Sequence, residues 1–440
     1  MFLLYSLLFS LAAILTAPYY LWRLRGRIAS PADWRERFGY LPSSFQQGEL
    51  GAIWVHAVSV GETLAILGLV REIRELYPER KVFLSHVTPA GREAGENRMS
   101  GVAGRFYLPL DWSWCVRRAL GRIRPALLLI VETELWPNLL RTARESGSRV
   151  VLVNARLSDR SFSRYMLVRP FMRRILESVD CVCAQTATDA ERFRQLGAAP
   201  ERVVVTGNIK FDGKPPQLGE LPQRLKKFFV ETHRGPVVVA ASTMPGEEAL
   251  LLQAWEEIRR IHPRALLVLA PRHPTRFDEV AQFLASQRRG FVRRQALGTE
   301  ENEAARQLTS SEILLLDTIG ELAGLFALAD VVFIGGSLVP TGGHNLLEPA
   351  FWAKPILFGP HMENFRDATK LFLQAGAAIE VRDPRQLAQE ALDLLENSER
   401  RRKLGEAAQR VLELESGATR RTLEHVKKML DVDVFTRTAD

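Results

Sequence analysis

Cysteine is scarce in this chain: there are three in 440 residues, Cys115, Cys181 and Cys183, with one C-x-C and no C-x-x-C. An odd number at these spacings makes neither a disulfide framework nor a zinc site, and it suits a reducing compartment. Cys181 and Cys183 flank Val182 in a strand-like run, where they read as small core residues. Other signatures are missing too. Without G-x-x-x-x-G-K-[ST], P-loop phosphoryl transfer is not expected. Without G-x-S-x-G there is no nucleophile elbow. No G-x-G-x-x-G follows the first strand, which argues against a dinucleotide dehydrogenase. The one D-x-D, Asp431 and Asp433, lies near the C-terminus, outside both expected sheets, so no metal site and no cofactor is read.

Acid is also absent at the start, where no Asp or Glu precedes Asp33. Met1–Trp22 has no charge at all, and Arg23, Arg25 and Arg27 follow it. About 20 apolar residues cross a ~30 Å hydrocarbon core. A cleavable signal would place its bases before the apolar run, not after it. Tyr19, Tyr20 and Trp22 suit an interfacial belt, and the arginines suit the cytoplasmic side. The expectation is a single N-terminal anchor in the inner membrane with the rest of the chain in the cytoplasm. A buried or interfacial helix is the alternative. No second run reaches that length without charge.

The hydrophobic share, 46%, excludes disorder. A single core stops growing near ~250–300 residues, so two or three domains are expected. The net charge is +8 and the pI about 9.6. The first basic cluster sits directly behind an apolar segment, which favours anionic membrane lipid over nucleic acid as a partner.

Beyond residue 50, short Val/Ile/Leu runs alternate with amphipathic stretches. The runs are Ile53–Val58, Val82–Val87, Arg105–Leu110, Ala126–Glu132, Arg149–Ala155, Cys181–Gln185 and Val203–Gly207, then Pro236–Thr243, Ala265–Arg272, Glu312–Thr318, Val331–Ser337 and Pro355–Pro360. Continuous apolar strands between helical patterns mean a parallel sheet covered on both faces. The fold class is therefore α/β. The expected domains are 1–28 (anchor and basic flank), 29–210 (first doubly wound, Rossmann-like domain), 211–235 (a Pro- and Gly-rich linker) and 236–440 (second such domain). The last helical pattern, about Ser398–Leu430, is expected to pack back on the first domain.

In such sheets ligands bind outside the carboxyl ends of the strands. One strand runs into Gly335-Gly336-Ser337 and then Gly342-Gly343-His344-Asn345, ahead of a helix carrying Glu348. Glycines permit close backbone approach, and N–H groups at a helix start attract phosphate. Asn345 can cap or bind a ligand, and Glu348 can accept from ribose hydroxyls. Alternatively the glycines only turn the chain and Glu348 answers the helix dipole. Arg272 closes another strand and can grip phosphate. His273 can bind a ligand or pack. Ser242 and Thr243 can touch phosphate or cap a helix. In the first domain Ser59, Gly61 and Glu62 join the first strand to its helix. Glu62 can act as a base, although taken alone a first-turn dipole partner is the stronger reading. Glu132, Arg156 and Lys210 end later strands and are candidate cleft residues. Arg160–Leu176 holds five arginines and no acid, with apolar residues between them; it can face a membrane or pack on its own sheet.

Taken together, His56–Glu62 (HAVSVGE), Glu132–Asn138 (ETELWPN), Asn154–Ser161, Gly207–Asp212, Pro271–Phe277 (PRHPTRF), Gly335–Ala350 and Gly359–Phe365 resemble the 3-deoxy-D-manno-octulosonic acid (Kdo) transferase family of lipopolysaccharide synthesis. The resemblance implies a GT-B fold with two domains facing a cleft, CMP-Kdo as donor and a lipid A precursor as acceptor. It implies inverting, metal-independent transfer with Glu62 as general base. By the same resemblance Arg272, the Gly335–Ser337 backbone, Asn345 and Glu348 hold the CMP half. His273, Ser242, Thr243 and Gly343 are further candidates for the same donor site, on the reading of the residues alone. Two competitors remain at this level: a UDP-sugar enzyme of the same fold, and a non-catalytic lipid-binding protein. Loss of Glu62 or of the Gly342-Gly343-His344 loop would mark the second, and both are present.

Overall fold

The computed structural model describes residues 1–24, 31–45, 51–215, 218–232, 234–298 and 301–437. Arg25 and Arg27 lie outside the described residues, as do the side chains of Tyr19, Tyr20, Trp22, Arg23 and Asp433. The chain forms two compact units. The first comprises Met1–Gly213 with Glu415–Asp440, and the second Lys214–Leu414.

Among the described residues the first unit holds seven strands: β1 (Ala52–His56), β2 (Val82–His86), β3 (Gly104–Tyr107), β4 (Pro125–Val131), β5 (Arg149–Ala155), β6 (Cys181–Ala184) and β7 (Val203–Val205). They form one all-parallel sheet in the order β3-β2-β1-β4-β5-β6-β7. Successive side chains take opposite faces. Ala52 and Trp54 accordingly enter one core, while Ile53 and Val55 enter the other. Both faces are covered, which is why every residue of β4 is buried. Cys181 and Cys183 are buried free thiols in the second of these cores. The last helix, Ala418–Arg437, adds Ala418, Leu423, Val426 and Leu430 to the Ile53 face. It breaks from the Ser398–Glu415 helix at Gly417 (φ 88°), and Asp212 accepts the N–H groups of Gly417 and Thr419.

The expected anchor does not stand as a membrane-crossing segment. The first helix is Phe2–Leu24, but among the described residues no helix is long and apolar enough to cross a membrane. One face of it is docked on its own unit. Tyr5 Oη donates to Asp111 Oδ2 (2.9 Å), Asn138 Nδ2 donates to Ser6 Oγ (3.0 Å), and Trp112 Nε1 donates to Ser10 Oγ (2.9 Å). Phe2 packs edge-on to Phe171 and Phe9 to Trp112. The opposite face carries Leu3, Leu4, Leu7, Leu8, Leu11, Ile14 and Leu15, all exposed, with Leu3 at 88%. Residues 160–176 form two helices, Asp159–Leu167 and Arg169–Leu176, because Pro170 starts the second. Met172, Ile175 and Leu176 enter the core, whereas Met166, Leu167 and Val168 stay exposed.

The second unit holds β8 (Val237–Thr243), β9 (Leu266–Pro271), β10 (Phe291–Arg293), β11 (Ile313–Leu315), β12 (Val331–Ile334), β13 (Ile356–Phe358) and β14 (Ile379–Glu380). They too are all parallel, in the order β10-β11-β9-β8-β12-β13-β14. The segment read as a linker is structured: Ile209–Asp212 is a 3-10 turn and Glu220–Thr232 a helix that buries Leu221, Leu225 and Phe228.

Candidate active site

In the first sheet the strand order reverses between β1 and β4. This is the switch point at which the following loops part and leave a crevice. Ser59 caps the Val60–Ala65 helix there, accepting the Glu62 N–H at 3.3 Å. The Glu62 carboxylate returns to the same loop. Oε2 accepts the Val58 N–H at 2.8 Å, and Oε1 accepts the Ser59 hydroxyl at 2.9 Å. This is close to a capping box, except that the carboxylate takes the N–H of Val58, one residue before the cap, instead of that of Ser59. Yet the group is no ordinary cap. Burial raises its pKa from 4.5 to about 7, and the charges of Glu132 and Glu134 push in the same direction. The carboxyl is half-protonated near neutrality, where a general base works best.

Two histidines under the loop hold its shape. His86 is buried and pushed down to about 4, so it is neutral; its Nδ1 lies 2.9 Å from the Ala57 carbonyl and must donate to it. His56, pushed down to about 3 by complete burial, faces the Ser85 hydroxyl at 2.9 Å. Thr88 Oγ1 donates to the Val58 carbonyl at 3.0 Å.

After β4 the backbone turns through Glu132, whose φ of 59° is unusual for a residue with a side chain. Strain of this kind collects at functional sites. Lys210 Nζ donates to Glu132 Oε1 at 2.6 Å. Glu134 accepts Trp136 Nε1 at 2.9 Å, and burial raises its pKa. At the end of β5, Asn154 has φ 54°, and its Oδ1 accepts the Ile209 N–H that precedes Lys210.

The second sheet reverses between β8 and β12. Gly335 donates its N–H to the Ala241 carbonyl at 2.7 Å, and a Cβ there would sit 2.7 Å from the Ser242 carbonyl. Only glycine permits this approach. Gly336 (φ 69°) faces the His344 ring, which a Cβ would meet at 2.9 Å. Asn345 Oδ1 accepts the Leu347 N–H, and its Nδ2 donates to Glu348 Oε1 at 3.0 Å. Burial raises the Glu348 carboxyl, while the positive field of Arg272 opposes it. Burial lowers His344 to about 4, and the charges of Arg272 and His273 add to that. Arg272, His273, His344, Asn345 and Glu348 therefore form one electrostatic neighbourhood, with Arg272 and His273 exposed.

The family model described as 3-Deoxy-D-manno-octulosonic-acid transferase (kdotransferase) matches residues 32–213. The 3-deoxy-D-manno-octulosonic acid transferase of Bordetella pertussis is 36% identical over 93% of this chain and 96% of its own. That of Haemophilus influenzae is 33% identical over 94% of this chain and 93% of its own. The chain belongs to the Kdo transferase family. It is accordingly a glycosyltransferase that moves Kdo. Among solved structures, a putative UDP-N-acetylglucosamine 2-epimerase from Listeria monocytogenes is similar over 86% of this chain and 96% of its own, with TM-score 0.58 at 15% identity. That likeness concerns the fold alone, which is GT-B-like.

Within this Kdo transferase the expected residues fare unequally. Ser59, Glu62, Glu132 and Lys210 come together around the first switch point. Arg156 contributes its carbonyl, which accepts Thr133 Oγ1. Gly61 is exposed, and a Cβ there would meet nothing closer than Ser59 Oγ at 3.9 Å, so the fold itself does not require glycine. In the second unit several expectations need correction. The N–H groups of Gly336 and Ser337 are not open to phosphate, because the Glu247 carboxylate occupies both. The Ser337 hydroxyl is buried between the Ile334 carbonyl and the Gly359 N–H. Thr243 is fully buried and donates to Glu248. The helix after Asn345, Leu347–Ala350, is a single turn and offers little dipole. Gly343 (φ 70°) serves the turn, its N–H bonding the Gly336 carbonyl. Ser242 takes φ 59° at the end of β8. His344 entered the sequence reading only as part of its loop, with no role of its own. Its Nε2 is buried with no partner among the described residues, and its place between Gly343 and Asn345 was the available signal.

Proposed function

We propose that the chain transfers Kdo from CMP-Kdo to a hydroxyl of a lipid A precursor, with inversion at the anomeric carbon and Glu62 as general base. The observation that carries this reading is the Glu62 carboxyl at the first switch point, raised to about 7. The acceptor hydroxyl gives its proton to Glu62 as its oxygen attacks the anomeric carbon. The bond from that carbon to the CMP phosphate oxygen breaks, and CMP leaves with the electron pair. Arg272 offsets the charge that develops on the phosphate, as a fixed cation aimed at a forming anion does. CMP leaves as an already stable anion, so the step needs no metal. Asn345 and Glu348 hold the nucleoside hydroxyls, and His273, Gly343 and Ser242 line the same place. Positioned base catalysis is worth about 10²–10⁴-fold. Glu62→Ala should lose transfer by about that factor while keeping its fold and its CMP affinity. Near-normal turnover by the folded variant would remove Glu62 from the role.

The acceptor is a lipid, and the surface of the first unit suits an encounter at the cytoplasmic face of the inner membrane. The exposed Leu/Ile stripe of the Phe2–Leu24 helix joins, through Phe2 and Phe171, the helices that expose Met166, Leu167 and Val168 among arginines. A helix with such a face lies in the interface plane and does not cross it, and anionic lipid adds to its binding.

A further inference from the structure

Two adjacent carboxylates open the Glu247–Ile261 helix, and both are buried: Glu247 is 0% and Glu248 4% exposed. Glu248 has a cation. Arg276 spans it with two bonds, 2.8 and 3.0 Å, and the Thr243 hydroxyl adds a third at 2.8 Å. Among the described residues, the hydrogen bonds to the Glu247 carboxylate all come from backbone. Its oxygens accept four N–H groups: Met244 (3.2 Å), Gly336 (2.6 Å), Ser337 (3.1 Å) and Leu338 (3.0 Å). Burying a charge is costly unless donors surround it. A packing role would not need a carboxylate here. Three consecutive amides turned toward one anion form a nest, the geometry in which other proteins hold phosphate.

We infer that Glu247 is the positioning residue of the donor site: its carboxylate fills the Gly336–Leu338 nest in place of a ligand and thereby sets the loop that carries His344, Asn345 and Glu348. The path is short. Gly336 gives its N–H to Glu247 and receives the Gly343 N–H (2.8 Å) and the Thr341 hydroxyl (2.9 Å) on its carbonyl. A Cβ on the same residue would meet the His344 ring at 2.9 Å, so the ring lies close above it. Glu248, next in sequence, ties Arg276 and so fixes the Pro274–Arg276 turn that follows Arg272 and His273. One helix start thus registers both donor loops at the β8/β12 switch point.

The inference rests on the reading of the second unit as the CMP-sugar site, and the test separates the two. Amide hydrogen exchange on the wild-type chain and on Glu247→Gln, without ligand, reports the loop alone. The glutamine keeps the size but points an N–H₂ group at backbone donors. Protection should fall at Gly336–Leu338 and Gly343 while the β8 and β12 amides stay protected. Titration with CMP should then show about tenfold weaker binding, the equivalent of one lost charge-assisted hydrogen bond, with a matching rise in KM for CMP-Kdo and an unchanged KM for the acceptor. Glu247→Ala should recover CMP affinity in formate but not in chloride at equal ionic strength, a rescue that general destabilisation would not show. Unchanged loop protection in Glu247→Gln, or wild-type CMP affinity, overturns the inference; so does failure of formate on a folded Glu247→Ala. Wild-type protein that ignores CMP overturns the donor reading instead, and the exchange data still decide the role of Glu247.

Discussion

Replacing the proposed base should make this enzyme more stable, and only above a definite pH. Burial raises the Glu62 carboxyl from 4.5 to about 7. Between those values the folded chain holds a proton that the unfolded chain has released. Stability therefore falls as pH rises through the window, and above about 7 the full cost is present. At 1.36 kcal/mol per pH unit the rise corresponds to about 3 kcal/mol. Glu62 is partly open to solvent, so screening lowers the realised cost to about 1–3 kcal/mol. In Glu62→Gln the amide oxygen can still accept the Val58 N–H, and the amide nitrogen can donate to Ser59 Oγ. The variant therefore keeps the cap and sheds the charge. For a unit of this size ~1 kcal/mol is worth ~2–4 °C. Scanning calorimetry across pH should show the first unit's transition unchanged by Glu62→Gln at pH 4. The variant should then pull ahead between pH 5 and 7, reaching a plateau of roughly 2–12 °C by pH 8. A difference that does not vary with pH, or a variant less stable than wild type at pH 8, would refute the argument, since an unperturbed carboxylate would carry no such cost.

The wild-type kcat/KM should rise with pH through about 7, because the base must be deprotonated. Lys210→Met leaves Glu132 uncompensated beside Glu62, so that acid limb should move to higher pH; a pH–rate profile on the same two substrates decides it. Arg272→Ala should raise KM for CMP-Kdo about tenfold or more, one charge-assisted contact being worth ~1.5–3 kcal/mol, and CMP titration should follow the same factor. Leu7→Asp with Leu11→Asp, both on the exposed stripe, should weaken binding to anionic vesicles in flotation assays while leaving turnover of a detergent-dispersed acceptor unchanged.

Much of the fold is legible in the residues because parallel strands buried on both faces read as unbroken Val/Ile/Leu runs. The runs at Ala126–Glu132 and Arg149–Ala155 coincide with β4 and β5 almost to the residue. The strands that escaped, β10 and β14, are three and two residues long at the sheet edges, too short to carry a period. The helix at Glu220–Thr232 was hidden by its own Pro222, which lies in the first turn, where proline costs nothing. Hydropathy alone also reads the N-terminus incompletely. It scores residue types and cannot see that Tyr5, Ser6 and Ser10 bond to Asp111, Asn138 and Trp112, more than a hundred residues away. The candidate site was legible as strand-end motifs, and Glu62 lies in the first turn of the helix after β1. What stayed hidden was competition: the Gly336 amide looks free in sequence until Glu247, 89 residues earlier, is folded against it.

The closing of the first unit by the Ala418–Arg437 helix has a consequence for synthesis. Domains usually mature in the order in which they leave the ribosome. Here the order inverts. The second unit is continuous from Lys214 to Leu414 and can complete its core while the tail is still in the exit tunnel. The first unit, though translated earlier, waits with Ile66, Leu69 and Val151 uncovered on one face until Leu423, Val426 and Leu430 arrive. The half of the enzyme made first is thus the half finished last, and a fragment ending at Gly213 would keep that face open permanently.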